Sequence, residues 1–425
     1  MIDSCPARAD GVERTDAGQP HGARTRGVRL RVAHLRVGRI PSVAAATAFL
    51  VLACSGGRSP APATVPVPDV VMITPPPESL RAAPDLFLPR ATEARAWNGL
   101  DTGTVRIPIL VATTRRGIDA ERPGFRFGTQ DANELSWGLA QVSVPSYRVR
   151  GEGEIPRAGS ETEPDPARVM FMNSLIPADS MRFLQRVRDA LARTRSRDIL
   201  VFVHGYNSSF EDAAVRAAQL AADMGFDGTV VLFSWPSAGA LTGYVRDQQT
   251  ARNAGWHLLR LLRDQLPRAD PDRIHVIAHS MGSEVLSKAL SLVDPRDSLP
   301  RLGQVVFAAP DVDARIFSRE ILPVLRQRSL GVTLYASSED EALRASRVLN
   351  GVLRLGLGGD SLTVLSGMTT VDATRVRGDA LGHTLFGNPA LLTDLHSVLT
   401  EGRSPAERRL LQVRRADGSV FWRFR

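Results

Sequence analysis

The chain has 425 residues, 43% hydrophobic and 23% charged, which is enough apolar surface for a large core and excludes a disordered polymer. The net charge of +8 sits at the two ends, because residues 1–53 and 401–425 hold the whole basic excess and the stretch between them is balanced. A neutral body excludes the continuous basic face of a nucleic-acid binder, and two cysteines ahead of that body, Cys5 and Cys54, exclude a disulfide framework or cysteine metal site within it.

In chain order, Arg29, Arg31, Arg36 and Arg39 precede an apolar run, VAAATAFLVLAC, that ends in small residues and Cys54. A basic segment followed by a short apolar run is the pattern of a secretory signal, too short for an ordinary membrane-spanning helix. Val51-Leu52-Ala53-Cys54 resembles a bacterial lipobox, with Leu52 a less usual residue at its position. Cys54 is therefore the expected lipidation site, and an ordinary signal with an incidental cysteine is the alternative. Residues 1–27 are polar, which sets the expected translation start near Val28 or Val32. The expected location is the bacterial cell envelope, as a membrane-anchored lipoprotein, or otherwise the periplasm or the exterior. Residues 54–95 are rich in proline, favour extended segments and read as a tether.

From residue 96 to about 400 the reading is a single α/β domain. The expected strands are Val105–Thr113, Leu139–Val144, Ile199–Val203, Val230–Ser234, Ile274–Ala278, Val305–Ala308 and Val332–Ala336. Helical periodicity runs over Ala178–Ala192, Glu211–Met224, Ala251–Gln265 and Glu284–Val293, with Ser208 and Glu211 as a capping box and Gly225 as a stop. Near-continuous apolar strands between amphipathic helices imply a mostly parallel sheet covered on both faces. In such sheets functional groups collect in the loops at the carboxyl ends of the strands.

One of those loops is a serine turn. In VIAHSMGSEVL, residues 276–286, a strand gives way to a helix across Ser280, with Ala278 two residues before and Gly282 two residues after. A reversal this tight holds the serine in a strained backbone conformation with its hydroxyl thrust out, and only small residues at the flanking positions avoid collision. Ser280 is thus a candidate nucleophile, and the Met281 N–H, at the head of the helix, a candidate oxyanion donor. The other reading is a capping or buried serine.

A serine hydroxyl needs a base, and in this fold the chain order is Ser, acid, His. Only His383 and His396 follow Ser280. His396 lies in the amphipathic stretch PALLTDLHSVL, so His383, in a loop beside Gly382, is the preferred base. The acid is Asp340, directly after the Val332–Ala336 strand, or alternatively Asp311 or Asp313 after the preceding one; each equally suits a helix cap. VFVHGYN supplies the second oxyanion element: Gly205 lets backbone approach a substrate and the Tyr206 N–H is the donor, with His204 shaping the loop.

Together VFVHGYNSSFEDAA, VLFSWPSAG, IHVIAHSMGSEVL, VVFAAPDVD, LYASSEDEAL and LGHTLFGNPALLTDL, between residues 104 and 400, resemble the bacterial α/β-hydrolase family of unknown function grouped with esterase/lipase-superfamily enzymes. The resemblance implies Ser280 as nucleophile, His383 as base and Asp340 as acid, with Gly205 and Tyr206 lining the oxyanion hole. Members commonly carry Tyr-rich residues after this histidine, where the present chain has Thr384-Leu385-Phe386.

The favoured reading is a serine hydrolase of carboxylic esters that needs no metal or cofactor and acts on an ester-type small molecule or lipid. Residues 348–362, VLNGVLRLGLGGDSL, are read as an apolar cap over the cleft or as a core helix with a glycine loop. The alternatives are a thioesterase, amidase or acyltransferase of the envelope, and a non-catalytic lipid-tethered binding protein on the same fold. Residues 401–425 form a basic tail in which Asp417-Gly418, followed by Val420 and Trp422, predicts an edge hairpin; a patch resting on an anionic surface is the alternative.

Overall fold

The computed structural model describes residues 104–118, 126–145, 169–294, 299–376, 378–379 and 381–425; Cys54, the signal-like run and the proline-rich tether lie outside them. Within that set eleven strands form one sheet. They are β1 (Thr104–Ile118), β2 (Arg126–Pro145), β3 (Phe171–Ala178), β4 (Asp198–Val203), β5 (Thr229–Ser234), β6 (Arg273–His279), β7 (Leu302–Ala308), β8 (Ser329–Ala336), β9 (Thr369–Asp372), β10 (Leu410–Arg414) and β11 (Val420–Phe424). The order is β10-β11-β9-β8-β7-β6-β4-β5-β1-β2-β3. From β1 through β5, β4, β6, β7, β8 and β9 to β11 every pairing is parallel, and antiparallel partners close the two edges.

Central strands read as unbroken apolar runs because both of their faces are covered. In β4, Ile199, Val201 and Val203 pack toward α1 (Ser180–Arg193), α3 (Tyr244–Arg260) and α4 (Gly282–Ser291). Leu200 and Phe202 point the other way, into the core shared with α2 (Phe210–Met224) and α6 (Pro389–Leu399). This is the α/β architecture expected from the alternation of strands and helices.

Several details differ from the sequence-based expectation. The capping box of α2 is one residue later: Ser209 Oγ accepts the Asp212 N–H at 3.0 Å and Asp212 returns a bond to the Ser209 N–H at 3.1 Å. Ser208 stays outside the helix, its carbonyl taken by Arg115 at 2.8 Å. Gly225, with φ +63°, does close α2. The third helix starts at Tyr244 rather than Ala251, because its first two turns are polar and half-exposed and carry no apolar period. The strands β3 and β9 have no strong signal: β3 lies at the sheet edge with Asn173 and Ser174 exposed, and β9 spans four residues.

The C-terminal residues form the expected hairpin, with Gly418 at φ +83° in its turn and β11 joined to β9. A buried bidentate pair fastens this extension, because Arg408 donates to both Asp394 oxygens at 2.8 Å while the Tyr335 hydroxyl reaches Asp394 Oδ2 at 2.7 Å. Among the described residues no helix is long and apolar enough to cross a membrane.

Candidate active site

The strand β6 delivers the chain to Ser280, and α4 takes it away two residues later. Ser280 has φ +51°, in the left-handed region that non-glycine residues avoid at a cost of about 1–3 kcal/mol. Its neighbours enforce that conformation. The Ser280 N–H donates to the Ala308 carbonyl at 3.0 Å, and its own carbonyl accepts from Ser283 N–H at 3.0 Å and Asp311 N–H at 3.1 Å. Gly282 is required on steric grounds, since a Cβ there would overlap the carbonyl oxygens of Val203 and His204. The small residue after the serine therefore serves the crossing of α4 over the exit of β4.

His383 and Asp340 meet Ser280 at this end of the sheet. His383 Nε2 lies 2.7 Å from Ser280 Oγ and Nδ1 lies 2.8 Å from Asp340 Oδ2. Asp340 is fully buried, and its second oxygen accepts the Leu343 N–H at 2.8 Å, so it caps α5 (Glu341–Asn350) and faces the imidazole at once. Burial opposes a charge on His383, but the hydrogen bond and charge of Asp340, reinforced by Asp311 and Asp379, outweigh it and raise the pKa above 6.5.

The histidine loop is built by a residue the sequence reading passed over. Asp379 Oδ1 accepts the backbone N–H groups of Leu381 and His383, at 3.1 and 2.9 Å, and the Asp379 carbonyl accepts from Gly382 at 2.9 Å. Burial disfavours its ionised form, yet the bonds from His383 and Thr384 prevail and hold its pKa below the usual carboxylate value. Its signal was an aspartate three residues before a loop glycine, a turn-forming pattern. Gly382 has φ +67°, and a Cβ there would overlap the Glu339 carbonyl, so the loop lies tightly on the turn that leads to Asp340.

The other candidates stand elsewhere. Asp311 is buried and committed to a different network: Oδ1 accepts from Arg354 Nε at 2.6 Å and Ser346 at 2.5 Å, and Oδ2 from Tyr244 at 2.8 Å. Asp313 caps the following helical turn through the Arg315 N–H at 2.8 Å. His396 points away on α6, with Nδ1 2.7 Å from the Met224 carbonyl. The segment 348–362 is mainly packed core, because Leu355, Leu357 and Leu362 are buried and Leu355 and Gly356 donate to the carbonyls of Val312 and Pro310. Val348 and Leu349, at the end of α5, remain exposed.

On the other side of Ser280 lies the loop after β4. A Cβ on Gly205 would stand 2.9 Å from both Ser280 Cβ and His279 Nδ1, so backbone here presses directly on the serine. Tyr206 follows, half-buried, its hydroxyl donating to the Ala240 carbonyl at 3.0 Å. Met281, buried, is the residue between Ser280 and α4. The ring of His279 packs 5.2 Å from that of His383; burial first, then the neighbouring histidine, keeps it neutral.

Behind this loop sits a fully buried arginine, Arg115, which the sequence reading also missed. The expected strand stops at Thr113, and the register shifts against β2 on either side of Arg115 break the alternation of faces, so the sequence carries little sign of this inward guanidinium. Among the described residues no group of three His, Cys, Asp or Glu side chains is arranged to hold a metal ion.

No curated protein matches the sequence. Among solved structures, a protein described as a cell surface hydrolase from Lactobacillus plantarum WCFS1 is 10% identical, with a TM-score of 0.29, over 51% of this chain and 96% of its own. A lipase-esterase related protein from Clostridium acetobutylicum ATCC 824 is 12% identical, with a TM-score of 0.26, over 49% of this chain and 93% of its own. The family of alpha/beta hydrolases of unknown function (DUF900) matches residues 180–402, more than half of the sequence and all of the elements that carry Ser280, Asp340 and His383, and the chain belongs to that family.

Proposed function

We propose that the protein is a serine hydrolase that cleaves carboxylic esters through an acyl-enzyme intermediate. The observation that carries this reading is the 2.7 Å approach of His383 Nε2 to the hydroxyl of a serine with positive φ. With Nδ1–H donated to Asp340, Nε2 keeps its lone pair and accepts the Ser280 proton as the oxygen attacks the ester carbonyl. The imidazolium formed is stabilised by Asp340, then returns its proton to the leaving alkoxide. Water, deprotonated by the same nitrogen, releases the acid. Charge developing on the carbonyl oxygen is received by the backbone N–H groups of Met281 and Tyr206.

An acyl chain of apolar character is favoured by Leu381, exposed two residues before His383. The reading is tested with a fluorophosphonate probe and a chain-length series of chromogenic esters and thioesters. Labelling at Ser280 and faster turnover of esters are expected, both abolished by Ser280→Ala; ester cleavage retained in that variant refutes the assignment.

Lipid attachment at Cys54, and with it a place in the cell envelope, is proposed on the lipobox-like residues 51–54. Cys54→Ser should release the protein from membranes, and unchanged fractionation rules the anchor out.

A further inference from the structure

We propose that Arg115, Ser234 and His204 form a relay of hydrogen bonds that fixes the plane of the Gly205–Tyr206 peptide and so aims the Tyr206 N–H at the developing oxyanion. All three are positioning residues, and the proposal rests on the reading of that N–H as an oxyanion donor.

The argument begins with His204, which has a carbonyl at each ring nitrogen. Nδ1 lies 2.8 Å from the Gly205 oxygen and Nε2 lies 3.0 Å from the Trp235 oxygen. Carbonyls only accept, so satisfying both would need a charged ring. Burial, followed by the nearby charge of Arg115, pushes the His204 pKa down to about 3, and the ring is neutral. It has one N–H to give.

Ser234 decides where that N–H sits. Its Oγ is 3.2 Å from His204 Nε2 and accepts from Arg115 Nε at 2.9 Å. A guanidinium has no acceptor, so the Ser234 oxygen must accept from it, which polarises the hydroxyl and makes its proton the stronger donor. That proton goes to Nε2. Nδ1 then carries the hydrogen and donates to the Gly205 carbonyl.

The Gly205 carbonyl and the Tyr206 N–H belong to one planar trans peptide and point in opposite directions. Holding the oxygen therefore orients the N–H, and Gly205 lies against Ser280, 2.9 Å from its Cβ to an added methyl carbon. The imidazole plane is set by stacking on Trp235, 5.1 Å between centroids at 8°, whose indole N–H binds the His204 carbonyl at 2.8 Å. Arg115 donates its remaining bonds to the carbonyls of Gly128, Ser237 and Ser208. Among the described residues its charge is buried without a carboxylate as hydrogen-bond partner, with Glu211, Asp247 and Asp212 acting on it only from beyond direct contact, a costly arrangement that a purely apolar contact would replace if packing were its only purpose.

The test is the tautomer of His204, read by imidazole nitrogen chemical shifts in the full chain labelled at histidine. The expected wild-type state is Nδ1–H. Ser234→Ala should move the proton to Nε2, where the Trp235 carbonyl accepts it, and should lower kcat on a chromogenic ester about 10–100-fold with KM nearly unchanged, as for partial loss of one oxyanion donor. Ser234→Thr, which keeps the hydroxyl, should restore both. An Nε2–H tautomer in the wild type overturns the proposal, as does a tautomer switch that leaves kcat untouched. If the wild type cleaves no ester, the ester reading fails, while the wild-type tautomer still decides the relay.

Discussion

Asp340 meets His383 through only one of its two oxygens: Oδ2 stands 2.8 Å from Nδ1, while Oδ1 holds the Leu343 amide at 2.8 Å. The first prediction follows from this division. Asp340→Asn keeps an oxygen for the helix cap but presents an amide N–H to His383, driving the ring to the tautomer with its hydrogen on Nε2. Ester turnover should fall by about 10⁴-fold in kcat, as a change of tautomer costs in serine hydrolases generally. Thermal unfolding should shift little. A variant with more than a tenth of wild-type activity would remove Asp340 from the mechanism.

The second concerns pH. The base must be neutral, and Asp340 raises the His383 pKa above 6.5 against the effect of burial. The rate constant kcat/KM should therefore fall on the acid side with a midpoint above 6.5. For stability the sign is the reverse: the raised pKa favours the folded state below the unfolded value, and that contribution fades as pH rises through the folded one. A kinetic midpoint at or below 6.5 would contradict the Asp340–His383 pairing.

Gly205→Ala offers a steric test. The added methyl would lie 2.9 Å from Ser280 Cβ and from His279 Nδ1, and 3.3 Å from the His279 carbonyl, so the loop must retreat from the serine. Activity should drop about 10²-fold or more, the effect of displacing one oxyanion donor. Overpacking should cost about 1–3 kcal/mol of stability, measured by denaturant unfolding. Full activity would mean that this backbone takes no part in the reaction.

Arg354 and Asp311 form a buried ion pair at 2.6 Å, with the Tyr244 hydroxyl and Ser346 completing the carboxylate's partners. Arg354→Ala leaves that carboxylate short of its charge partner and should destabilise the fold by about 3–5 kcal/mol. Because Asp311 also donates its backbone N–H to the Ser280 carbonyl, loosening here should depress turnover in the still-folded fraction. A loss under 1 kcal/mol in chemical denaturation would show that the network contributes no net stability.

What the sequence by itself determined are the features fixed by short-range sterics and periodicity. The central strands were legible because burial on two faces demands unbroken apolar runs, as in Ile199–Val203, and the serine turn because Ala278 and Gly282 satisfy a local clash rule. The order serine, acid, histidine left His383 ahead of one rival.

Tertiary structure decided the rest. Asp340 and Asp311 look alike in sequence, since each follows a parallel strand at a position suited to capping. They differ because Arg354, 43 residues beyond Asp311, occupies one carboxylate while His383, 43 residues beyond Asp340, meets the other. Arg115, more than 100 residues from Ser234, and Asp379, whose role depends on where its loop folds, left only the faintest local marks. A charge or hydrogen bond between distant residues imposes no period on either segment, so only the packed chain reveals which partner each polar group has found.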